Sequence, residues 1–200
     1  ADLAARSKQG DLSAFNLIVQ RYQSQVHNMA ARILGDPSSA EDVTQETFIA
    51  AYKAIGRFRG GSLRAWLLRI ASNRAYDHIR ALRRRPQQSL DQALLNPGVS
   101  LPSGEPSPEQ EAIRADLGGE IQRAILSLPV KQKTTLVLVD VQGLSCEEAA
   151  EATGVSLGTV KSRLSRARSA VRDVLLRRPD LLPEQFGRHS GQNANRALSP

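Results

Sequence analysis

Apolar residues recur at helical spacing through most of this chain of 200 residues. From Leu12 to Ile33 they fall every three or four positions, directly after Asp11, a residue type that favours the start of a helix. The stretch from Glu109 to Leu126 shows the same period. The run 135–141, TLVLVDV, has the composition of a strand, but we interpret it as a buried supporting helix because two short helices are predicted directly after it. The pattern predicts an all-α protein.

Two short helices separated by Gly154 are predicted between Leu144 and Arg168. In the second helix, apolar residues share one arc of the projection, while hydroxyls and cations occupy the opposite arc. Gly154 can adopt the positive φ of a tight corner, and Ser156 can cap the helix that follows. The pattern is typical of a helix-turn-helix that binds the DNA major groove. The alternative is an ordinary helical hairpin with a solvated basic face.

The polar arc of this second helix supplies candidate DNA contacts. Residues near the N-terminus of such a helix contact bases, while cations farther along hold phosphates. The residues that we therefore expect to contact bases are Ser156, Gly158, Thr159, Ser162 and Arg163. Those that we expect to contact the DNA backbone are Lys161, Arg166 and Arg168.

Charge is segregated along the chain, whose net charge is +7. The block 57–85 carries +8 and the block 161–178 carries +6, which leaves −7 for all other residues. Two separate basic surfaces are predicted, each able to bind a polyanion such as nucleic acid. A lipid surface is the alternative partner, but no apolar run approaches the roughly 18 residues that span a bilayer. We therefore expect a cytoplasmic protein without a signal peptide.

Composition also divides the chain into segments. The range 86–108 holds five of the ten prolines and is predicted to be a flexible linker between two small helical domains, 1–85 and 109–178. The polar segment 179–200 is predicted to be a disordered tail. The single cysteine, Cys146, has no internal disulfide partner and no metal-ligand spacing with histidine, so we interpret it as a small core residue and expect no metal and no cofactor.

An acidic segment begins at Asp36 and continues into a predicted helix. Ser39 followed by Asp42 resembles a capping box. One face of this helix is acidic with an aliphatic centre, which suits docking onto a basic partner, and it holds Asp42, Gln45, Glu46 and Ile49. Asp42 and Glu46 are also candidates for a nuclease metal site, but such a site usually needs further acids, and Asp77 is the only acid in the basic block that follows.

That basic block contains a glycine loop and then a helix. Trp66 is interpreted mainly as a core residue, because aromatic rings mostly anchor helix packing. The cations beside Phe58 nevertheless suit single-stranded DNA, in which cations follow the backbone and pockets accept unstacked bases.

Three segments together resemble the extracytoplasmic-function group of bacterial RNA polymerase sigma factors. They are DVTQETFIAAYKAI, SLRAWLLRIASNRAYDHIR and LPVKQKTTLVLVDVQGLSCEEAAEATGVSLGTVKSRLSRAR, and the resemblance covers about Asp11 to Arg178. Their order and the intervening linker make the resemblance specific. The chain departs from the family pattern at Cys146, where an aromatic is common, and at Ala149, where a larger aliphatic is common.

The resemblance implies a promoter-specificity subunit that makes and breaks no bond itself. It implies that the acidic face docks on the coiled coil of the polymerase β′ clamp, and that the helix-turn-helix reads the −35 element and its domain contacts the β flap. It implies a linker that threads toward the active-site cleft and the RNA exit path, and an inhibitory anti-sigma partner. The residues implied to recognise and melt the −10 element are Phe58, Arg59, Gly60, Ser62, Asn73, Asp77 and Arg80.

A rival interpretation is a stand-alone helix-turn-helix regulator whose N-terminal half serves oligomerisation or ligand sensing. The basic block 57–85 separates the two interpretations, because a dimeric regulator has no reason to carry it.

Overall fold

A computed structural model describes residues 2–84 and 108–178, and within these ranges it contains helices and their connections but no strand. The all-α prediction is confirmed. The predicted tail lies outside the described residues, and so does the predicted linker except for Pro108, which begins a helix.

The N-terminal group contains four α-helices and one short 3-10 turn. These elements are α1 (Asp2–Lys8), α2 (Leu12–Leu34), α3 (Pro37–Ala54), the 3-10 turn Ile55–Arg57, and α4 (Leu63–Arg84). The predicted start of α2 is confirmed, because the Asp11 side chain accepts a hydrogen bond from the Ala14 N–H at 3.0 Å. The helix ends at Gly35, where φ is +77°.

The start of α3 differs from the prediction. Asp36 is the N-cap, and its carboxylate accepts a hydrogen bond from the Ser39 N–H at 2.7 Å. Pro37 follows at the first helical position, where its missing N–H costs nothing. The capping box predicted at Ser39 is therefore wrong. The Ser39 hydroxyl instead lies 3.0 Å from the His78 ring nitrogen, which links α3 to α4.

The C-terminal group also consists of four helices. They are α5 (Pro108–Ser127), α6 (Val130–Leu136) with a π-helical extension (Val137–Val141), α7 (Cys146–Thr153) and α8 (Leu157–Leu175). The strand-like run 135–141 is helical, as predicted, and its residues from Thr135 to Leu138 are buried. In the extension, the Gln142 N–H donates to the Val137 carbonyl at 2.8 Å, five residues back. Cys146 is partly buried and a free thiol.

The two groups share one hydrophobic core. Met29 and Leu67 of the first group and Val137 and Leu164 of the second belong to the same cluster of buried side chains. Helix α2 packs against α5, and α4 packs against α7. The two basic blocks were predicted to form separate surfaces; in the structure, α4 of the first block packs against α7, the helix that precedes the second block, and residues of α4 and α8 line one cavity.

Candidate functional site

Helices α7 and α8 form the predicted helix-turn-helix. Gly154 ends α7 with a φ of +66°, a conformation that glycine adopts without steric cost. A capping box fixes the start of α7, because Ser145 and Glu148 each accept the other's backbone N–H. Ser156 caps α8, since its hydroxyl accepts the Thr159 N–H at 3.3 Å. Both turn predictions, at Gly154 and at Ser156, are therefore confirmed.

The residues predicted to contact the −35 element lie on one side of α8, while its opposite side is buried in the core. Thr159 and Arg163 are half-buried. The Ser162 hydroxyl donates to the Thr159 carbonyl at 3.0 Å, so part of its hydrogen-bonding capacity is used within the helix. The exposed members of the set are Ser156, Gly158, Lys161, Ser162 and Arg166.

Arg168 has an ion-pair partner within the protein. Its guanidinium donates to both carboxylate oxygens of Asp140, at 2.9 Å and 2.6 Å. This bidentate pairing holds the pKa of Arg168 above its usual value. Arg168 therefore joins α8 to the end of the π-helical extension, and 58% of its side chain stays accessible, so its assignment to the DNA backbone stays a prediction.

The acidic face of α3 is exposed, as predicted. Asp42, Gln45, Glu46 and Ile49 all face solvent, and Ile49 keeps 56% of its surface accessible. The opposite side of the helix packs into the core through residues such as Val43. An exposed aliphatic side chain between carboxylates gives this surface both apolar contact area and negative charge, which together suit a basic protein partner.

The loop between the 3-10 turn and α4 holds the first residues predicted for the −10 element. Gly60 and Gly61 have φ of +97° and +85°, so the loop depends on glycine at both positions. Arg59, Gly60 and Ser62 are exposed. The Ser62 hydroxyl accepts the Ala65 N–H at 3.2 Å and so helps to start α4.

Phe58 is buried, with 7% of its surface exposed. Its ring packs against Trp66 at a centroid distance of 5.3 Å, and the Lys8 ammonium lies 5.5 Å from its centre. The prediction that Phe58 contacts DNA is therefore wrong for this structure, because the ring is a packing anchor between α1 and α4. The interpretation of Trp66 as a core residue fits this arrangement.

The three remaining −10 candidates lie on α4. Asn73, Asp77 and Arg80 are exposed and follow one another at helical spacing. They share one exposed side of α4, the helix that follows the glycine loop.

Two cavities lie where the groups meet, and the sequence pattern did not indicate them. A cavity of about 490 Å³ is lined by Arg57, Arg59 and Arg69 on one side and by Glu148 and Glu151 of α7 on the other. A second cavity of about 340 Å³ is lined by Asn73 and Tyr76 of α4, by Thr134 and Lys131 of α6, and by Arg163 of α8. A −10 candidate and a −35 candidate therefore face the same cavity.

Within residues 2–84 and 108–178, no three or more His, Cys, Asp and Glu side chains are grouped in a way that holds a metal ion. The helices described there include none with the length and apolarity needed to cross a bilayer.

Comparison with known proteins gives matches to two family models in the expected order. Sigma-70 region 2 matches residues 18–85, and the Sigma-70 region 4 model matches residues 118–171. The RNA polymerase sigma-H factor of Pseudomonas aeruginosa is 38% identical over 84% of this chain and 90% of its own length. The ECF RNA polymerase sigma-E factor of Haemophilus influenzae is 38% identical over 84% of this chain and 91% of its own length.

A solved structure of CnrH in complex with the cytosolic domain of CnrY is 28% identical and has a TM-score of 0.61, covering 86% of this chain and 94% of that one. The stand-alone regulator is not favoured, because both sigma regions are present in one chain and the relatives match across both. The chain belongs to the extracytoplasmic-function group of RNA polymerase sigma factors.

Proposed function

We propose that this sigma factor directs core RNA polymerase to specific promoters and helps to melt the −10 element, with separate surfaces for the enzyme and for each promoter element. The observation that carries this proposal is the exposed acidic face of α3 on a chain that also presents the basic block 57–85 and a helix-turn-helix. One surface has the charge for a protein partner, and the other two have the charge for DNA.

The contact with polymerase is assigned to Asp42, Gln45, Glu46 and Ile49, which meet the β′ clamp. Their exposure leaves the carboxylates solvated until a basic partner arrives. Complementary charge speeds the encounter, and Ile49 adds apolar area that is buried on docking. The β flap is assigned to the domain that holds α7 and α8.

The −10 contact is assigned to the glycine loop and the exposed face of α4. The residues that recognise and melt this element are Arg59, Gly60 and Ser62 of the loop and Asn73, Asp77 and Arg80 of α4. Melting costs a few kcal/mol per unstacked step, and capture of an extruded base offsets part of this cost. The chain supplies binding energy to an opened promoter and carries out no bond chemistry.

The −35 contact is assigned to α8, whose N-terminal turns enter the major groove. Arg163 and its neighbours at the helix start meet base edges, and Lys161 and Arg166 hold phosphates. Each DNA contact alone is weak. Fixing both to the polymerase makes the second contact intramolecular, so promoter spacing contributes to specificity.

The regulation and the compartment follow from the same assignment. We propose that an anti-sigma protein binds this chain and blocks these surfaces, in the cytoplasm where the polymerase works. In the related structure, CnrH is bound to the cytosolic domain of another protein.

The test is selection of promoters from a random-sequence DNA library with purified core polymerase and this chain, followed by run-off transcription. We expect enriched −10 and −35 motifs at fixed spacing, and transcripts that need both the enzyme and the chain. Core polymerase alone and the chain alone are the controls. A library without enrichment, or equal transcription without the chain, would reject the proposal.

A further inference from the structure

The guanidinium of Arg168 has one partner within the protein and keeps the capacity to bind a second. It donates from Nε and Nη2 to the two carboxylate oxygens of Asp140. A guanidinium carries five N–H groups in one plane, so three of them lie outside this pair. More than half of the Arg168 side chain stays accessible. A ligand with anionic oxygens can therefore reach the edge of the guanidinium that does not face Asp140.

Arg168 lies in line with Lys161, the first cation of α8 that is assigned to the DNA backbone. At about 100° per residue, the two positions fall within about 20° of each other around the helix. At about 1.5 Å per residue, they lie about 10 Å apart along its axis. Both are exposed and sit at the flank of the polar arc. Because phosphates form the walls of the major groove, this flank is where a helix in the groove meets the DNA backbone.

The position of Asp140 is fixed by the end of the π-helical extension. On one side of it, Leu138 is buried in the core, and on the other side Leu144 is buried as well. The Leu144 N–H donates to the Leu138 carbonyl at 3.0 Å, which closes the chain around Asp140. The carboxylate is therefore held by a packed element, as a side chain that orients another must be.

Two opposing effects decide whether Asp140 helps or hinders a contact between Arg168 and a phosphate. Ordering an unpaired arginine side chain on binding costs about two- to tenfold in affinity, and a pair that already holds the side chain removes much of this cost. The carboxylate also repels the phosphate. Across one guanidinium, however, the two anions lie roughly 8 Å apart, about one Debye length at physiological ionic strength, so their repulsion is largely screened. The gain from positioning therefore exceeds the repulsion.

We propose that Asp140 is a positioning residue, which holds the Arg168 guanidinium ready for a contact with a backbone phosphate at the −35 element. Asp140 itself touches no DNA and acts through Arg168. The contact continues the line of phosphate-binding cations from Lys161 toward the C-terminal half of α8. This inference rests on the proposed promoter function, and it adds to the −35 contact a residue that lies outside the helix-turn-helix.

The test measures how tightly holoenzyme, formed from this chain and saturating core polymerase, binds a labelled promoter duplex from the library selection. Wild type, Asp140→Ala, Arg168→Ala and the double variant are compared at several salt concentrations. Asp140→Asn is a second variant, which keeps the size of the side chain but removes its charge. Asp173→Ala is the matched control, because it removes an accessible carboxylate of α8 that lies beside Arg172 instead. Thermal melts check that each chain is folded.

We expect Asp140→Ala to weaken promoter binding by about threefold, although it removes a negative charge near the DNA. Asp140→Asn should weaken binding in the same direction. Arg168→Ala should weaken it at least as much and lower the salt dependence of the affinity by about one phosphate contact. In the Arg168→Ala background, Asp140→Ala should cause no further loss, because the two residues act as one unit. Asp173→Ala should bind at least as tightly as the wild type.

Two results would overturn the role of Asp140 and leave the promoter function standing. In the first, Asp140→Ala and Asp140→Asn bind the selected promoter as tightly as the wild type or more tightly, so the carboxylate only repels DNA. In the second, Asp140→Ala weakens binding equally with and without Arg168, so it acts through the fold and not through the guanidinium. A wild-type holoenzyme that selects no promoter would instead remove the proposed function, and this inference with it.

Discussion

The Nζ atom of Lys133 lies 3.2 Å from the carbonyl oxygen of Ile33, inside the interface between the two helical groups. Only 6% of Lys133 is exposed. Its ammonium therefore supplies a donor to one of the last carbonyls of α2, which has no partner within its own helix. Burial lowers the pKa of Lys133 from its usual 10.5, and the nearby Arg83 lowers this pKa further.

Lys133→Met should change how stability depends on pH. Because the folded-state pKa is lowered, the unfolded chain binds more protons between that pKa and 10.5, so the free energy of unfolding rises with pH over this window. The variant loses this rise. Urea denaturation at a series of pH values should therefore show that the free energy of unfolding of the wild type increases relative to that of the variant as the pH approaches 10.5. Lys131→Met, at an exposed position of α6, is the control, and parallel curves for wild type and Lys133→Met would contradict the prediction.

Asp36→Ala should destabilise the protein by about 1 kcal/mol, because α3 loses its N-cap. Hydrogen bonds from the side chain and backbone of Ser39 lower the pKa of Asp36 below 3.8. The stabilisation is therefore present above pH 3.8 and is lost as the pH falls through the lowered pKa. Thermal melts at pH values above and below 3.8 measure this loss of stability. Asp42→Ala removes an exposed carboxylate from the same helix and should leave stability unchanged, so an equal loss in both variants would refute the assignment of the cap.

Asp42→Lys combined with Glu46→Lys should weaken binding to core polymerase while the fold is kept, because both side chains are exposed. A loss of about tenfold or more in affinity is expected from two reversed charges facing a basic partner. Titration of labelled chain with core enzyme measures it, with circular dichroism as the check on folding. Asp116→Lys with Glu147→Lys makes the same change in net charge at exposed positions of the other helical group and should bind like the wild type. If both double variants bound core polymerase with equal affinity, the acidic face of α3 would be excluded as the polymerase contact.

Arg163→Ala should reduce discrimination between the selected −35 element and a scrambled one, by about 1–3 kcal/mol if the guanidinium makes a bidentate contact with a base. Arg166→Ala should instead weaken binding to both duplexes and reduce the salt dependence of the affinity, as loss of a phosphate contact does. Binding to the two duplexes at several salt concentrations separates these effects. A uniform loss from Arg163→Ala would reassign that residue to the backbone.

The parts of the fold that depend on near neighbours in the sequence were predictable. The cap at Asp11 and the period that follows it predicted a helix over Leu12 to Ile33, one residue short of the observed end. Gly154 and Ser156 likewise predicted the turn and the cap of the helix-turn-helix. Hydrogen-bonded caps and the helical period act over a few residues, so a single sequence carries them.

The features that the sequence did not predict lie where distant segments meet. Phe58 is buried because α1 supplies Lys8 and α4 supplies Trp66 beside it, and no local pattern reports that packing. Arg168 forms an ion pair with Asp140, which lies 28 residues away in the sequence. The hydrogen bond between Arg32 and Gln122 joins residues 90 positions apart. The exposed acidic face of α3 was predictable because one helix holds all of it. The cavities between the groups were not predictable, because each cavity is lined by residues of both helical groups.

The π-helical extension at Val137–Val141 has a consequence for evolution and design. A wide turn of this kind accommodates one extra residue in an α-helix, so removing one residue would restore the regular winding without turning the residues downstream. Asp140 would then stay beside Arg168, and Leu138 would stay buried. A deletion of one residue is therefore the change in length that this segment tolerates best, because it removes the wide turn and leaves α7 and α8 in place.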